Sequence, residues 1–96
     1  MSDKKLEVIA AEWTSDNMTL FRLRGKEELY LIPEKFEMAL GDLIEVIEWQ
    51  HATITTGRYN NHPARIVGSM NLYDERGHRV EDFDFDIISI YVGYHV

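Results

Sequence analysis

The stretch PEKFEMALGDLIEVIEWQ, residues 33–50, decides the fold, because its sequence fits either an amphipathic helix or a turn followed by a strand. Six side chains fall on one face of a helix with about 3.6 residues per turn: Phe36, Leu40, Leu43, Ile44, Ile47 and His51. The opposite face collects five acids: Glu34, Glu37, Asp42, Glu45 and Glu48. Pro33 suits the first turn, where a missing N–H costs nothing. The pattern therefore predicts an amphipathic helix over residues 33–50.

A second interpretation of the same stretch begins at Gly41. Glycine in the middle of a helix costs about 1 kcal/mol, and the residues after it are rich in β-branched side chains, which favour strands. In this interpretation the chain turns at Gly41-Asp42, and Leu43–Trp49 forms a strand. A proline-led turn followed by Gly-Asp and an apolar strand resembles small SH3-like or OB-like barrels. The alternative fold is therefore a small β-barrel.

Alternating apolar and polar residues predict strands on both sides of this stretch. An N-terminal three-strand meander is expected over Leu6–Trp13, Met18–Arg24 and Glu28–Ile32. A further strand is expected at Ala52–Thr56, then a C-terminal hairpin of Arg65–Tyr73, a turn at Asp74–Gly77 and a strand from His78 or Arg79. We expect an α+β domain with one helix on an antiparallel sheet of five to six strands.

Composition narrows the class of protein. A chain of 96 residues holds one core, so one domain is expected over residues 1–96. No cysteine is available for a disulfide, a thiolate metal site or a nucleophile. No apolar run approaches the roughly 18–20 residues that span a bilayer, and the N-terminus has no apolar signal region. We expect a cytoplasmic protein that does not contact membranes.

The net charge of −7 is uneven along the chain. Residues 33–50 carry five acids and Lys35 alone, and residues 74–96 carry six acids and two arginines, so each block contributes −4. Residues 51–73 contribute +2 through Arg58 and Arg65. An acidic chain repels polyanions, so no direct nucleic-acid binding is expected.

The most distinctive feature is the row Asp82, Asp84 and Asp86 in DFDFD. Alternate residues of a strand share a face, so these carboxylates stand about 6.6 Å apart. A calcium loop of the D-x-D-x-D type would need glycine where Ile87 stands and glutamate where Gly93 stands, so no metal is predicted. The row is either a solvated face or an imitation of a phosphate row that occupies a cationic groove.

A second acidic surface is expected on the polar side of the predicted helix. Glu45 and Glu48 belong to it, and Trp49 interrupts it. Because tryptophan is enriched among binding hot spots, Trp49 among acids suits an interface anchor.

The only basic region is the loop between residues 57 and 65. Its candidate binding residues are Arg58, Tyr59, His62 and Arg65. Histidine and arginine can serve acid–base and phosphoryl chemistry, and small microbial-type ribonucleases use a similar set on a helix-plus-sheet scaffold. No catalytic motif is present, so no enzyme and no cofactor are predicted.

Together these features favour a non-catalytic protein-binding module. The sharper hypothesis is a stoichiometric inhibitor, of the phage, anti-defence or immunity type, that mimics a polyanion and binds a protein partner with a cationic surface. The alternative is an accessory subunit or a homodimer formed through the apolar strand Ile87–Val92. A nucleic-acid binder or a small nuclease is less favoured by the charge.

Overall fold

A computed structural model of the protein describes residues 5–14, 17–54, 59, 61–74 and 76–85. Six strands are present: β1 (Leu6–Trp13), β2 (Thr19–Leu23), β3 (Leu29–Ile32), β4 (Leu43–Thr53), β5 (Pro63–Tyr73) and β6 (Arg79–Asp84). None of the described residues forms an α-helix. The described part of the chain therefore contains no helix that could cross a membrane.

The strands form one sheet in the order β3-β2-β1-β4-β5-β6. All neighbours in this order are antiparallel. β3 also pairs with β5, in parallel, where Leu29–Leu31 lies beside Ala64–Ile66. This extra pairing closes β1, β2, β3, β5 and β4 into a ring, while β6 extends the sheet from the second half of β5. Such closure is expected of the small barrel that was the alternative interpretation of residues 33–50.

The predicted helix over residues 33–50 is wrong, and with it the α+β class: the fold is all-β. Residues 33–42 form an irregular connection, and β4 begins at Leu43. Gly41 has a φ of +95°, a left-handed conformation that a right-handed helix excludes. Its N–H donates to the Val8 carbonyl at 2.9 Å, so this backbone is bonded to β1 and not to a preceding helical turn.

The predicted meander and C-terminal hairpin agree with the structure. The strand expected from Ala52 is the end of β4, which runs to Thr53. In the β5–β6 turn, Asp74 Oδ1 accepts the N–H groups of Arg76 and His78, both at 2.9 Å. These backbone hydrogen bonds, His78 first, hold the pKa of the Asp74 carboxyl below its ordinary value.

Two apolar clusters lie on opposite faces of β2 and β3, because successive residues of a strand point to opposite sides. The first cluster contains Val8, Phe21, Leu23, Tyr30, Ile32, Ile44, Val67 and Met70. The second contains Met18, Leu20, Leu29, Leu31, Ala64 and Ile66. Burial on both faces explains why β3 is apolar throughout and does not alternate.

The connection between β3 and β4 closes the first cluster on the side of β6. Phe36 packs edge-on against Phe83 and Phe85, with ring centroids 4.7 and 5.9 Å apart. Phe83 and Phe85 therefore face the connection, and the residues that alternate with them, Asp82 and Asp84, face the other side of the sheet.

Three features of the sequence lie outside the described residues. These are Asp86, the apolar stretch Ile87–Val92, and Arg58.

Candidate functional site

The acids of β4 and β6 share one face of the sheet, on either side of β5. Asn71 of β5 pairs with Glu45 on one side and with Asp82 on the other. One step along, Ser69 pairs with Glu48 and with Asp84. Directly paired residues of adjacent strands project from the same face. Glu45, Glu48, Asp82 and Asp84 thus form two rows, which we call the acidic face.

A bulge in β4 brings the two glutamates to this face. Residues three apart in a regular strand point to opposite sides. The register of β4 on β5 shifts between Val46 and Glu48, so that Ile47 has no partner of its own. In a bulge of this kind, two residues of one strand stand opposite a single residue of the neighbouring strand. As a result Glu48 faces the same side as Glu45, and Trp49 faces the other.

The acidic face has a spacing that its strands impose. Neighbouring strands lie about 4.8 Å apart, so the Cα atoms of the acids on β4 and β6 are about 10 Å apart across β5. Asp82 and Asp84 are separated by about 6.6 Å along β6. Glu48, Asp82 and Asp84 are exposed, whereas Glu45 is only 8% exposed. Three carboxylates are therefore open to a partner, and the fourth is not.

Glu45 is held by its neighbours on β5. The Tyr73 hydroxyl donates to Glu45 Oε1 at 2.8 Å, and Asn71 Nδ2 donates to the same oxygen at 3.4 Å. The Lys5 ammonium lies 4.6 Å from the centre of the Tyr73 ring, at the same end of the face. The hydrogen bond to Glu45 raises the pKa of Tyr73, because the carboxylate stabilises the protonated hydroxyl.

Alkaline pH is expected to remove the stabilising contribution of this hydrogen bond. When folding raises the pKa of a tyrosine, the tyrosine stabilises the folded state fully at pH values below its ordinary pKa of about 10. This stabilisation is lost as the pH rises through the higher pKa of the folded state. Tyr73→Phe should therefore be less stable than the wild type at neutral pH, and the difference should narrow above about pH 10. Urea unfolding at a series of pH values measures it; a constant difference across the series would contradict the assignment.

A second polar cluster surrounds Arg65. Its guanidinium lies 4.1 Å from the centre of the Trp49 ring, and Nη2 donates to Glu28 Oε2 at 3.2 Å. Nη1 donates weakly to the Tyr30 hydroxyl at 3.5 Å, and the Trp49 ring meets His51 edge-on at 4.8 Å. Arg65 is thus an internally paired cation, and Trp49, which is 36% exposed, stacks on it from the face opposite the acids.

The predicted polar loop does not assemble as one basic patch within the described residues. Tyr59 packs against the second cluster, and its ring meets the His62 ring edge-on at 6.1 Å. His62 Nδ1 lies 3.0 Å from the Pro63 carbonyl oxygen. Arg65 is turned toward Glu28 and Trp49.

A cleft that the sequence analysis did not single out lies at the end of β1. It has a volume of about 290 Å³. Its lining includes Ala11, Glu12, Trp13, Phe36, Glu37 and Met38. Trp13 is 52% exposed, and its indole Nε1–H donates to the Phe36 carbonyl at 3.1 Å. This contact joins residues 23 positions apart, so no local sequence pattern points to the cleft.

Within the described residues, no group of three or more histidine, aspartate or glutamate side chains is placed to hold a metal ion. Comparison with known proteins returns no match of significance to any family model, curated protein or solved structure.

Proposed function

We propose that this protein is a non-catalytic binding protein whose acidic face docks on a cationic surface of a protein partner. One observation carries the proposal: the register of β4, β5 and β6 places Glu48, Asp82 and Asp84 on one side of the sheet and leaves all three exposed. These acids come from the two most acidic blocks of the chain, which the sequence alone does not bring together.

The chemistry of the acidic face favours a partner that normally binds nucleic acid. Arginine and lysine side chains that are arranged for phosphates also bind carboxylates, arginine often through two hydrogen bonds. A sheet keeps the Cα positions of these acids fixed, so little backbone ordering opposes binding. We therefore propose a stoichiometric inhibitor of a nucleic-acid-handling enzyme or effector complex, acting in the cytoplasm as phage, anti-defence or immunity proteins do.

Direct nucleic-acid binding by the basic residues has less support. Arg65, the described member of the basic pair that the sequence singles out, is already paired with Glu28 and stacked on Trp49. The chain as a whole has a net charge of −7, which repels phosphate.

Removing the charge of the acidic face is expected to abolish partner capture. The test variant is Glu48→Gln/Asp82→Asn/Asp84→Asn, used as bait in a pull-down from the source cell's lysate at low and at high salt. Charged pairs across an interface contribute more than about 1.5 kcal/mol each when close, so capture of a cationic nucleic-acid enzyme should fall at least about tenfold. High salt should weaken capture by the wild type.

A matched control separates this effect from net charge. Glu27→Gln/Glu34→Gln/Glu81→Gln removes the same number of charges from exposed positions outside the acidic face and should retain capture. The captured enzyme should lose nucleic-acid binding at one equivalent of the wild-type protein. If both triple variants and the wild type capture the same proteins, the acidic face is a solvated surface and the accessory or homodimeric subunit becomes the better account.

A further inference from the structure

We infer that the cleft beside Trp13 binds a basic side chain of a protein partner, arginine above lysine. The cleft is formed by the end of β1 and the connection between β3 and β4. Phe36, which lines it, packs on the side of β6 opposite Asp82 and Asp84. The inference therefore concerns a second contact surface and does not depend on the acidic face.

The shape of the cleft suits a side chain with an apolar stem. Ala11, Phe36 and Met38 supply apolar surface, and the Trp13 indole stands beside them. At about 290 Å³ the cleft lies at the lower limit for sites that hold small molecules, so it fits a single long side chain. The methylene stem of arginine or lysine packs on such a surface while its charged end stays hydrated.

The charge of the cleft selects a cation. Glu37 lines it and is exposed, whereas Glu12, which pairs with Leu20, lies on the face of β1 toward the second cluster and is not counted as an anion of the cleft. The Trp13 ring already accepts a cation from the protein itself, because the Lys35 ammonium lies 4.9 Å from its centre. Tryptophan is the aromatic side chain that attracts cations best, and the planar guanidinium of arginine both stacks on it and pairs with carboxylates.

The cleft is held in a fixed shape before any partner arrives. The Trp13 indole is fixed by its hydrogen bond to the Phe36 carbonyl. Phe36 is fixed in turn, since its N–H donates to Thr19 Oγ1 at 2.8 Å. Tryptophan anchors in rigid surroundings are typical of binding hot spots, because little freedom is lost when they bind.

The experiment is an NMR titration that follows the two indole N–H signals of the chain. The probe is N-acetyl-arginine amide, and N-acetyl-citrulline amide is its neutral isostere. Trp49→Phe assigns the signals, and Trp49 in the wild type serves as the internal control. We expect the Trp13 signal to move in a saturable way with the arginine probe, to move less with N-acetyl-lysine amide, and to stay in place with the citrulline probe.

Two substitutions test the roles of the charges. Lys35→Gln removes the internal competitor and should tighten binding of the arginine probe about threefold, as expected for loss of one cation–π contact at an exposed site. Glu37→Gln should weaken it by a similar factor of about three, as expected for loss of one exposed ion pair. Glu34→Gln, which changes an exposed acid outside the cleft lining, should leave it unchanged. Equal shifts with the arginine and citrulline probes, or no shift of Trp13, would overturn the inference, whatever the outcome for the acidic face.

Discussion

Phe21→Ala is expected to lower the free energy of unfolding by about 3–5 kcal/mol, the usual cost of deleting a buried aromatic ring. Phe21 is 1% exposed and stacks on Tyr30, with ring centroids 5.4 Å apart. It lies in the first cluster, between β1 and β3 in the ring of strands. Small domains have a total stability of about 5–15 kcal/mol, so this variant should be largely unfolded in mild denaturant.

Urea unfolding followed by far-ultraviolet circular dichroism measures this loss. Leu40→Ala is the matched control, because Leu40 is 68% exposed and its truncation should change stability by less than about 0.5 kcal/mol. If Phe21→Ala and Leu40→Ala were equally stable, the first cluster would not be the core of the fold.

Thr19→Val is expected to cost about 2–3 kcal/mol, although it keeps the shape of the side chain. The Thr19 hydroxyl donates to the Glu34 carbonyl at 2.9 Å and accepts the Phe36 N–H at 2.8 Å. Thr19 is 1% exposed, so valine would leave both backbone groups without this partner. A polar group that loses its partner away from water costs about 1–3 kcal/mol.

Thr19→Ser is the matched control for this substitution. It keeps the hydroxyl and removes one methyl group, so it should cost only about 1 kcal/mol. Urea unfolding compares the two variants, and the Trp13 indole signal reports whether the connection has moved. Equal stability of the valine and serine variants would show that the hydroxyl does not hold the connection.

Much of the fold follows from local alternation. β1 occupies the predicted Leu6–Trp13, and the next two strands differ from their predicted bounds by one residue at some ends. Turn chemistry was equally informative, since Asp74 and Gly77 form the turn that the sequence indicates. These features depend on neighbours in the chain, so local sequence is sufficient to find them.

The helix was predicted wrongly because a bulged strand imitates helical spacing. Glu45 and Glu48 are three residues apart, a spacing that places them on one face of a helix. The bulge at Ile47 places them on one face of a strand instead. The local signals for the strand were Gly41 and the β-branched residues that follow it, and the hydrogen-bond partner of Gly41, Val8, lies in β1.

The sequence pointed to the acids of the candidate site but did not predict how the strands bring them together. That Asp82 and Asp84 share a face follows from alternation. Glu48 stands opposite Asp84 across Ser69 because β4 and β6 flank β5. These strand pairings join distant parts of the chain, so local alternation does not predict them. The contacts of Trp49 with Arg65 and of Trp13 with Phe36 are likewise made between separate elements, so no local pattern contains them.

The parallel pairing of β3 with β5 has a consequence for the order of folding events. Tyr30 and Arg65, which face each other in this pairing, lie 35 residues apart in the chain. Contacts between distant residues form late, because the loop between them must first lose its freedom. The same strand, β5, supplies Asn71 and Ser69 between the rows of acids. A nascent chain that has not yet docked β5 therefore lacks both the closed ring and the acidic face, so this surface arises only together with the final topology.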